Sequence, residues 1–141
     1  MQLKSTSTLV AAILGAAVAT AGCGSSTPPP LLIGAVDDAA KWAADPGRTM
    51  REAHASGFDV VVLSATWSRG AAAYHDLPPV RRAVRAAVAQ HVQPVLAVYQ
   101  LSSSTPNSAA DRAAFAAYAA GLARALPAVR EVIVEIGRAH V

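Results

Sequence analysis

Residues 57–68 read GFDVVVLSATWS, and the fold turns on how this stretch is parsed. Positions 58–63 form a run rich in β-branched residues, which read as a strand. Gly57 in front of it is the stop signal of a helix, because a glycine accepts the left-handed backbone that ends one. A helix that closes on Gly57 needs a start, and Asp45-Pro46 supplies it: Asp as N-cap, Pro in the first turn. Further upstream, 31–36 (LLIGAV) is a continuous apolar run, as a strand buried on both faces requires.

Downstream the alternation repeats. Residues 77–91 read as a helix, with Val80, Val84 and Val88 on one face and Arg81, Arg82 and Arg85 on the opposite, wet face. Residues 92–99 read as a third strand, with Pro94 near its start, where a missing donor is tolerable. Ser108 opens a third helix, with Asp111 at capping-box spacing. Phe115, Tyr118, Leu122 and Leu126 form its apolar stripe. Residues 129–134 read as a fourth strand. Four strands alternating with helices predict an α/β fold with a parallel sheet covered by helices. Both an open doubly wound sheet and half of a (β/α)8 barrel fit this spacing. No G-x-G-x-x-G turn follows the first strand, which disfavours a dinucleotide site.

The ends of the chain read differently from its middle. Residues 1–8 are polar with one positive charge, Lys4, and 9–21 are a short apolar run, the layout of a secretory signal over 1–22. Ala19-Thr20-Ala21 offers cleavage before Gly22. Thr20-Ala21-Gly22-Cys23 resembles a bacterial lipobox, with Thr in place of the usual first Leu. Cys23 is the single cysteine, and residues 24–30 (GSSTPPP) suit a tether between a lipid anchor and a domain. The string EIGRAHV at 135–141 is similar to a translated sequencing-library adapter. It is therefore expected to be foreign to the fold, so Glu135, Arg138 and His140 carry no catalytic weight in the sequence.

Composition removes several classes. The chain has 141 residues, 53% hydrophobic and 15% charged, which excludes disorder for most of it and allows one small domain. The net charge of +3 comes from dispersed arginines without a basic stripe, so no nucleic-acid partner is expected. One cysteine excludes an internal disulfide and a Cys-rich zinc site. No His or acid pair has metal-ligand spacing, and neither metal nor other cofactor is expected.

In either α/β fold, functional residues collect at the C-terminal ends of the strands. Those ends carry Asp37-Asp38, then Thr66-Trp67, then Tyr99-Gln100. Carboxylates and amides bond sugar hydroxyls, and aromatic faces stack on the apolar faces of pyranose rings. Trp67, Tyr99, Gln100, Asp37 and Asp38 are accordingly the candidate substrate-binding residues, each weighed against a plain packing or capping role. His75-Asp76 reads as a surface loop with Asp76 capping the helix that follows. His54 and His91 read as solvated helix residues, and residues 102–105 (SSST) have no His and acid partners for a serine nucleophile.

The segments at 31–46, 57–68, 92–100 and 115–134 resemble the N-terminal half of a cellulase-like (β/α)8 glycoside hydrolase of exported actinobacterial type. The resemblance covers about 100 residues and contains no catalytic motif. It implies that 31–134 are the first four βα units of a barrel, lacking the fourth helix. It also implies retaining hydrolysis of O-glycosyl bonds of an oligosaccharide or polysaccharide by two carboxyl groups. In that family the fourth strand runs into Gly-Asn-Glu-Pro, whose Glu is the acid/base. Here Val134 is followed by EIGRAHV, so both catalytic carboxylates are expected beyond this chain and no turnover is expected from it. A different expectation is a non-catalytic solute- or glycan-binding lipoprotein with an open α/β domain, held to the membrane through an acylated Cys23. A third is a small α/β module complete in itself, which would leave sheet edges exposed.

Overall fold

The computed structural model describes residues 31–70, 74–101 and 104–135. The chain divides into two units, Met1–Pro30 and Leu31–Val141, and all described residues belong to the second. The expected signal, Cys23 and the tether lie outside the described residues, as do Ser102, Ser103 and 136–141.

The described unit runs β1 (Gly34–Val36), α1 (Ala39–Trp42), α2 (Pro46–Ala55), β2 (Val60–Trp67), α3 (Leu77–Ala89), β3 (Gln93–Gln100), α4 (Ala109–Ala125) and β4 (Glu131–Glu135). The strands form one parallel sheet in the order β1-β2-β3-β4. The α/β class with its parallel sheet is thus as the sequence predicts. Sequence order equals spatial order, and nowhere does it reverse. All four helices contribute to one core cluster with the sheet, Ala40 from α1, Met50 from α2, Val80 from α3 and Phe115 from α4, as crossovers of one hand stepping in one direction would give.

Local chemistry explains the helix ends. Asp45 caps α2, its Oδ1 accepting from Arg48 N at 3.0 Å, with Pro46 in the first turn. Ser108 caps α4, its Oγ accepting from Asp111 N at 3.0 Å. Gly57 has φ +88°, the left-handed backbone expected after a helix. Asp76, by contrast, makes no capping bond to α3. Its Oδ2 instead accepts from Thr66 N at 2.7 Å and Thr66 Oγ1 at 2.8 Å, tying the start of α3 to the end of β2.

Alternation along β2 and β3 separates two faces. Val61, Leu63, Ala65 and Trp67 pack with Leu96 and Val98 against Met50, Val80, Val84, Phe115, Tyr118 and Leu122. Leu63, Leu96 and Leu122 are fully buried there. The Trp67 and Phe115 rings meet at 5.5 Å. Val62, Ser64, Ala97 and Tyr99 point to the opposite face.

Four expectations need correction. The run 31–36 is not a strand buried on both faces: only Gly34–Val36 is paired, and Leu31, Leu32, Ile33 and Val36 are exposed. The strand sits at the sheet edge and pairs with β2 alone. Val88 is exposed, because eight residues at 3.6 per turn rotate it about 80° from Val80; Ala83 and Ala87 complete the buried stripe instead. β2 extends to Trp67 rather than ending at Leu63, and β4 runs through Glu135 into the segment that the sequence sets apart.

Candidate functional site

On the sheet face opposite the helical core lies a cleft of about 500 Å³. Its floor is Val36, Val62, Ala97 and Ile133, one apolar side chain from each strand. Its polar wall is Asp38, Ser64, Tyr99, Gln100 and Glu135. Register explains the assembly. Val62 pairs with Val36 and Val95, while Ser64 pairs with Ala97 and Ala97 with Ile133. One step along, Thr66 pairs with Tyr99 and Tyr99 with Glu135. Parallel strands in this register lift polar side chains to the C-terminal end while the floor stays apolar.

Of the residues expected from the sequence, Asp38, Tyr99 and Gln100 line the cleft. Asp37 faces elsewhere. It borders a smaller hollow with Thr49, Met50 and Phe58, and its Oδ1 accepts from Ala39 N at 2.7 Å, a turn bond leading into α1. Trp67 is 2% exposed and sits in the helical core against Phe115, so its indole is not presented to the cleft.

The wall of the cleft is built on a lysine that the sequence reasoning missed. Lys41, on α1, is 3% exposed. Its Nζ donates to Ser64 O at 2.8 Å and Ser64 Oγ at 3.0 Å, and lies 3.1 Å from Asp38 Oδ2. An ammonium has three donors, and these three acceptors match them. The Asp38 carboxylate also accepts from Ser64 N at 2.9 Å and from the Ser64 hydroxyl. Burial pushes the Asp38 carboxyl upward, but the bonds from Ser64 and the ammonium of Lys41 outweigh it and hold the group below its usual value. Asp38 is therefore a fixed, ionised acceptor, suited to a ligand hydroxyl and unsuited to donating a proton. Ser64 is no activated nucleophile, since an ammonium held against a carboxylate is a poor base.

Signals for this cluster exist in the sequence. Ser64 is the first polar residue after an unbroken apolar run in β2, and Lys41 is one of two lysines against ten arginines. A lysine is the compact point charge that fits where an arginine fork does not.

Among the described residues no group of three His, Cys, Asp or Glu is placed to hold a metal ion. Nor, among them, is any helix long and apolar enough to cross a membrane. His75 is more than half exposed, 3.4 Å from Asp76. Ser104 Oγ accepts from Arg69 N at 3.1 Å in a loop contact. Comparisons with protein-family models, with curated proteins and with solved structures find no match.

Proposed function

We propose that residues 31–134 are a carbohydrate-binding half-barrel, the first four βα units of an exported (β/α)8 glycoside hydrolase. The observation that carries this is the cleft: an apolar floor with a fixed carboxylate, a phenol and an amide converging at the C-terminal ends of sequential parallel strands. Pyranose rings need this mixture, apolar area for their C–H faces and ionic or amide acceptors for their hydroxyls. In a closed barrel the cleft face would become the inner wall and the helices the outer ring.

The strand order weighs against the solute-binding alternative. A doubly wound lobe binds its ligand where the strand order reverses, whereas the cleft here lies over described strands in sequential order. The retaining mechanism needs one carboxyl group to protonate the leaving oxygen and a second, about 5 Å away, to attack the anomeric carbon. Asp38, held ionised by the hydrogen bonds from Ser64 and by Lys41, is unsuited to protonating the leaving oxygen and serves in this proposal as a hydroxyl acceptor. In this proposal the proton donor is a carboxyl group other than Asp38. Export, and attachment to a membrane by acylation of Cys23, complete the proposal and rest on the N-terminal sequence.

The test is binding by the full chain to a panel of hexasaccharides of β-1,4-glucose, β-1,4-xylose, β-1,3-glucose and α-1,4-glucose, measured by calorimetry. Saturable binding of at least one, weakened at least tenfold by Tyr99→Ala, is the expected outcome. Failure of every sugar to bind would overturn the proposal.

A further inference from the structure

Apolar side chains on both faces mark a strand that lies inside a parallel sheet, with neighbours on either side. β4 has this composition. Val132 and Val134 alternate with Ile133, so each face carries branched aliphatic side chains, and all three residues are exposed. The charges of the strand, Glu131 and Glu135, are confined to its two ends. Residues 31–36 (LLIGAV), which include β1, are apolar throughout, and 31–33 and Val36 are exposed. Yet among the described residues β1 pairs with β2 alone and β4 with β3 alone. Neither strand carries a lysine or a proline, the residues that blunt an exposed edge. Opposite edges of one parallel sheet are thus both composed as interior strands. The exposed surface of 31–33, Val36 and 132–134 amounts to about 700 Å² per copy, close to the ~800 Å² that each partner buries in a stable complex.

We infer that two copies of this chain close on each other as an eight-stranded barrel, β4 of each pairing in parallel with β1 of the other about a twofold axis along the barrel. This rests on the half-barrel reading above and assigns the partner that covers the open face of this chain, a second copy of itself. Strand number permits the closure. Eight strands leave an interior just wide enough for side chains to fill, and branched residues dominate such interiors. The floor of Val36, Val62, Ala97 and Ile133 supplies one small or branched side chain per strand, and two copies supply two such sets. Strand order permits it too. With β1 and β4 at the outer positions, a twofold rotation brings β4 to β1 at both seams and leaves no edge. Antiparallel pairing of β4 with its own copy would satisfy one edge but leave both β1 strands and the apolar floor in water. Closure also changes the cleft. Asp38, Tyr99 and Gln100 stand at the C-terminal ends of their strands, so both copies deliver them to the same mouth of the barrel, and a monomer presents half of the site.

Sedimentation equilibrium of the full chain over a wide range of protein concentration tests the closure. The expected mass saturates at two copies, and hydrogen exchange in peptides covering β1 and β4 slows together as the dimer forms. Val36→Lys and Ile133→Lys each weaken the dimer at least tenfold, because each sets an ammonium inside the closed barrel. Both residues are exposed in the single copy, so the circular dichroism of the dilute variants matches the parent. A parent whose mass stays at one copy, or climbs past two, overturns the inference. So does a dimer that Ile133→Lys weakens and Val36→Lys leaves intact, with exchange slowed in β4 alone, the mark of β4 pairing with itself. The four hexasaccharides separate this from the carbohydrate reading. A dimer that binds none of them keeps the closure and loses the sugar, and a monomer that binds one does the reverse.

Discussion

Lys41 Nζ lies 3.1 Å from the Asp38 carboxylate with its own side chain almost wholly buried and that of Asp38 about one third exposed. The pair is asymmetric. Removing the lysine leaves a carboxylate that can turn to water, whereas removing the carboxylate leaves a buried ammonium with only the Ser64 acceptors. Lys41→Met is therefore expected to cost about 2–3 kcal/mol, below the 3–5 kcal/mol of a fully buried pair. Asp38→Leu is expected to cost more than Lys41→Met. Urea unfolding at neutral pH gives both numbers, and the reverse ranking would mean that the carboxylate, not the ammonium, is the group that depends on its partner.

The same pair sets an acid limit. The Asp38 carboxyl is held below its usual 3.8, so just below that pH the unfolded chain takes up a proton that the folded one refuses. Stability from this group is complete well above 3.8 and is lost as pH falls through the lower folded value. Asp38→Asn removes the effect. The gap in unfolding free energy between parent and variant should shrink between about pH 5 and pH 2. A gap that stays constant over that range would show that the carboxylate is not stabilised in the fold.

How much of this was legible in the sequence depends on the period of each signal. The stripe Phe115, Tyr118, Leu122 and the caps at Asp45 and Ser108 were readable because each depends on neighbours within a few residues. β1 was misread because an apolar run does not say whether a neighbour covers it, and none among the described residues lies over its free edge. The cleft was half legible. Strand ends are a rule of the fold, so Asp38, Tyr99 and Gln100 came out on it. Strand length was not, so the face on which Trp67 lands was invisible until β2 proved to run to that residue. The Lys41–Ser64 contact joins residues 23 apart through a four-residue helix that no periodicity announces.

Tyr118 sets a limit at the other end of the pH scale. Its hydroxyl donates to Thr66 O at 2.8 Å. Burial, then the nearby Asp76 and Tyr74, push its pKa up from 10.0 to about 12. Between those values the unfolded chain has lost the proton and the folded chain keeps it, so stability falls as pH rises from 10.0 towards 12. Tyr118→Phe gives up the hydrogen bond, costing about 1 kcal/mol at neutral pH, but cannot ionise. Denaturation midpoints of parent and variant should converge on going from about pH 8 to pH 11. Parallel lines would refute a buried, proton-retaining phenol.

Among the described residues β4 is the last strand of the sheet and pairs with β3 alone, which has a consequence in solution. β4 pairs with β3, all five of its residues are exposed, and Val132, Ile133 and Val134 are among them. An apolar parallel edge offers unpaired backbone groups to another strand. Sedimentation velocity should show association that grows with protein concentration, and Val134→Lys should reduce it by placing a charge on that strand. Equal association of parent and variant would move the contact away from β4.

His91 and Gly57 close the two chain reversals that follow α3 and α2, and they do so with unequal strain. Gly57 has φ +88° with open space around the position of a Cβ, so an alanine there meets no clash and pays only for its backbone angle. His91 has φ +60° and is exposed, carrying a Cβ in the left-handed region just after the helix. His91→Gly should therefore stabilise by about 1 kcal/mol, and Gly57→Ala should destabilise by about 1 kcal/mol. For a domain of this size each corresponds to a shift in Tm of about 4–8 °C, in opposite directions. The hydrogen bond from His91 N to Val88 O, 3.2 Å, is a backbone contact and survives the substitution. A His91→Gly variant that melts below the parent would mean that the imidazole contributes more to the native state than its backbone angle costs.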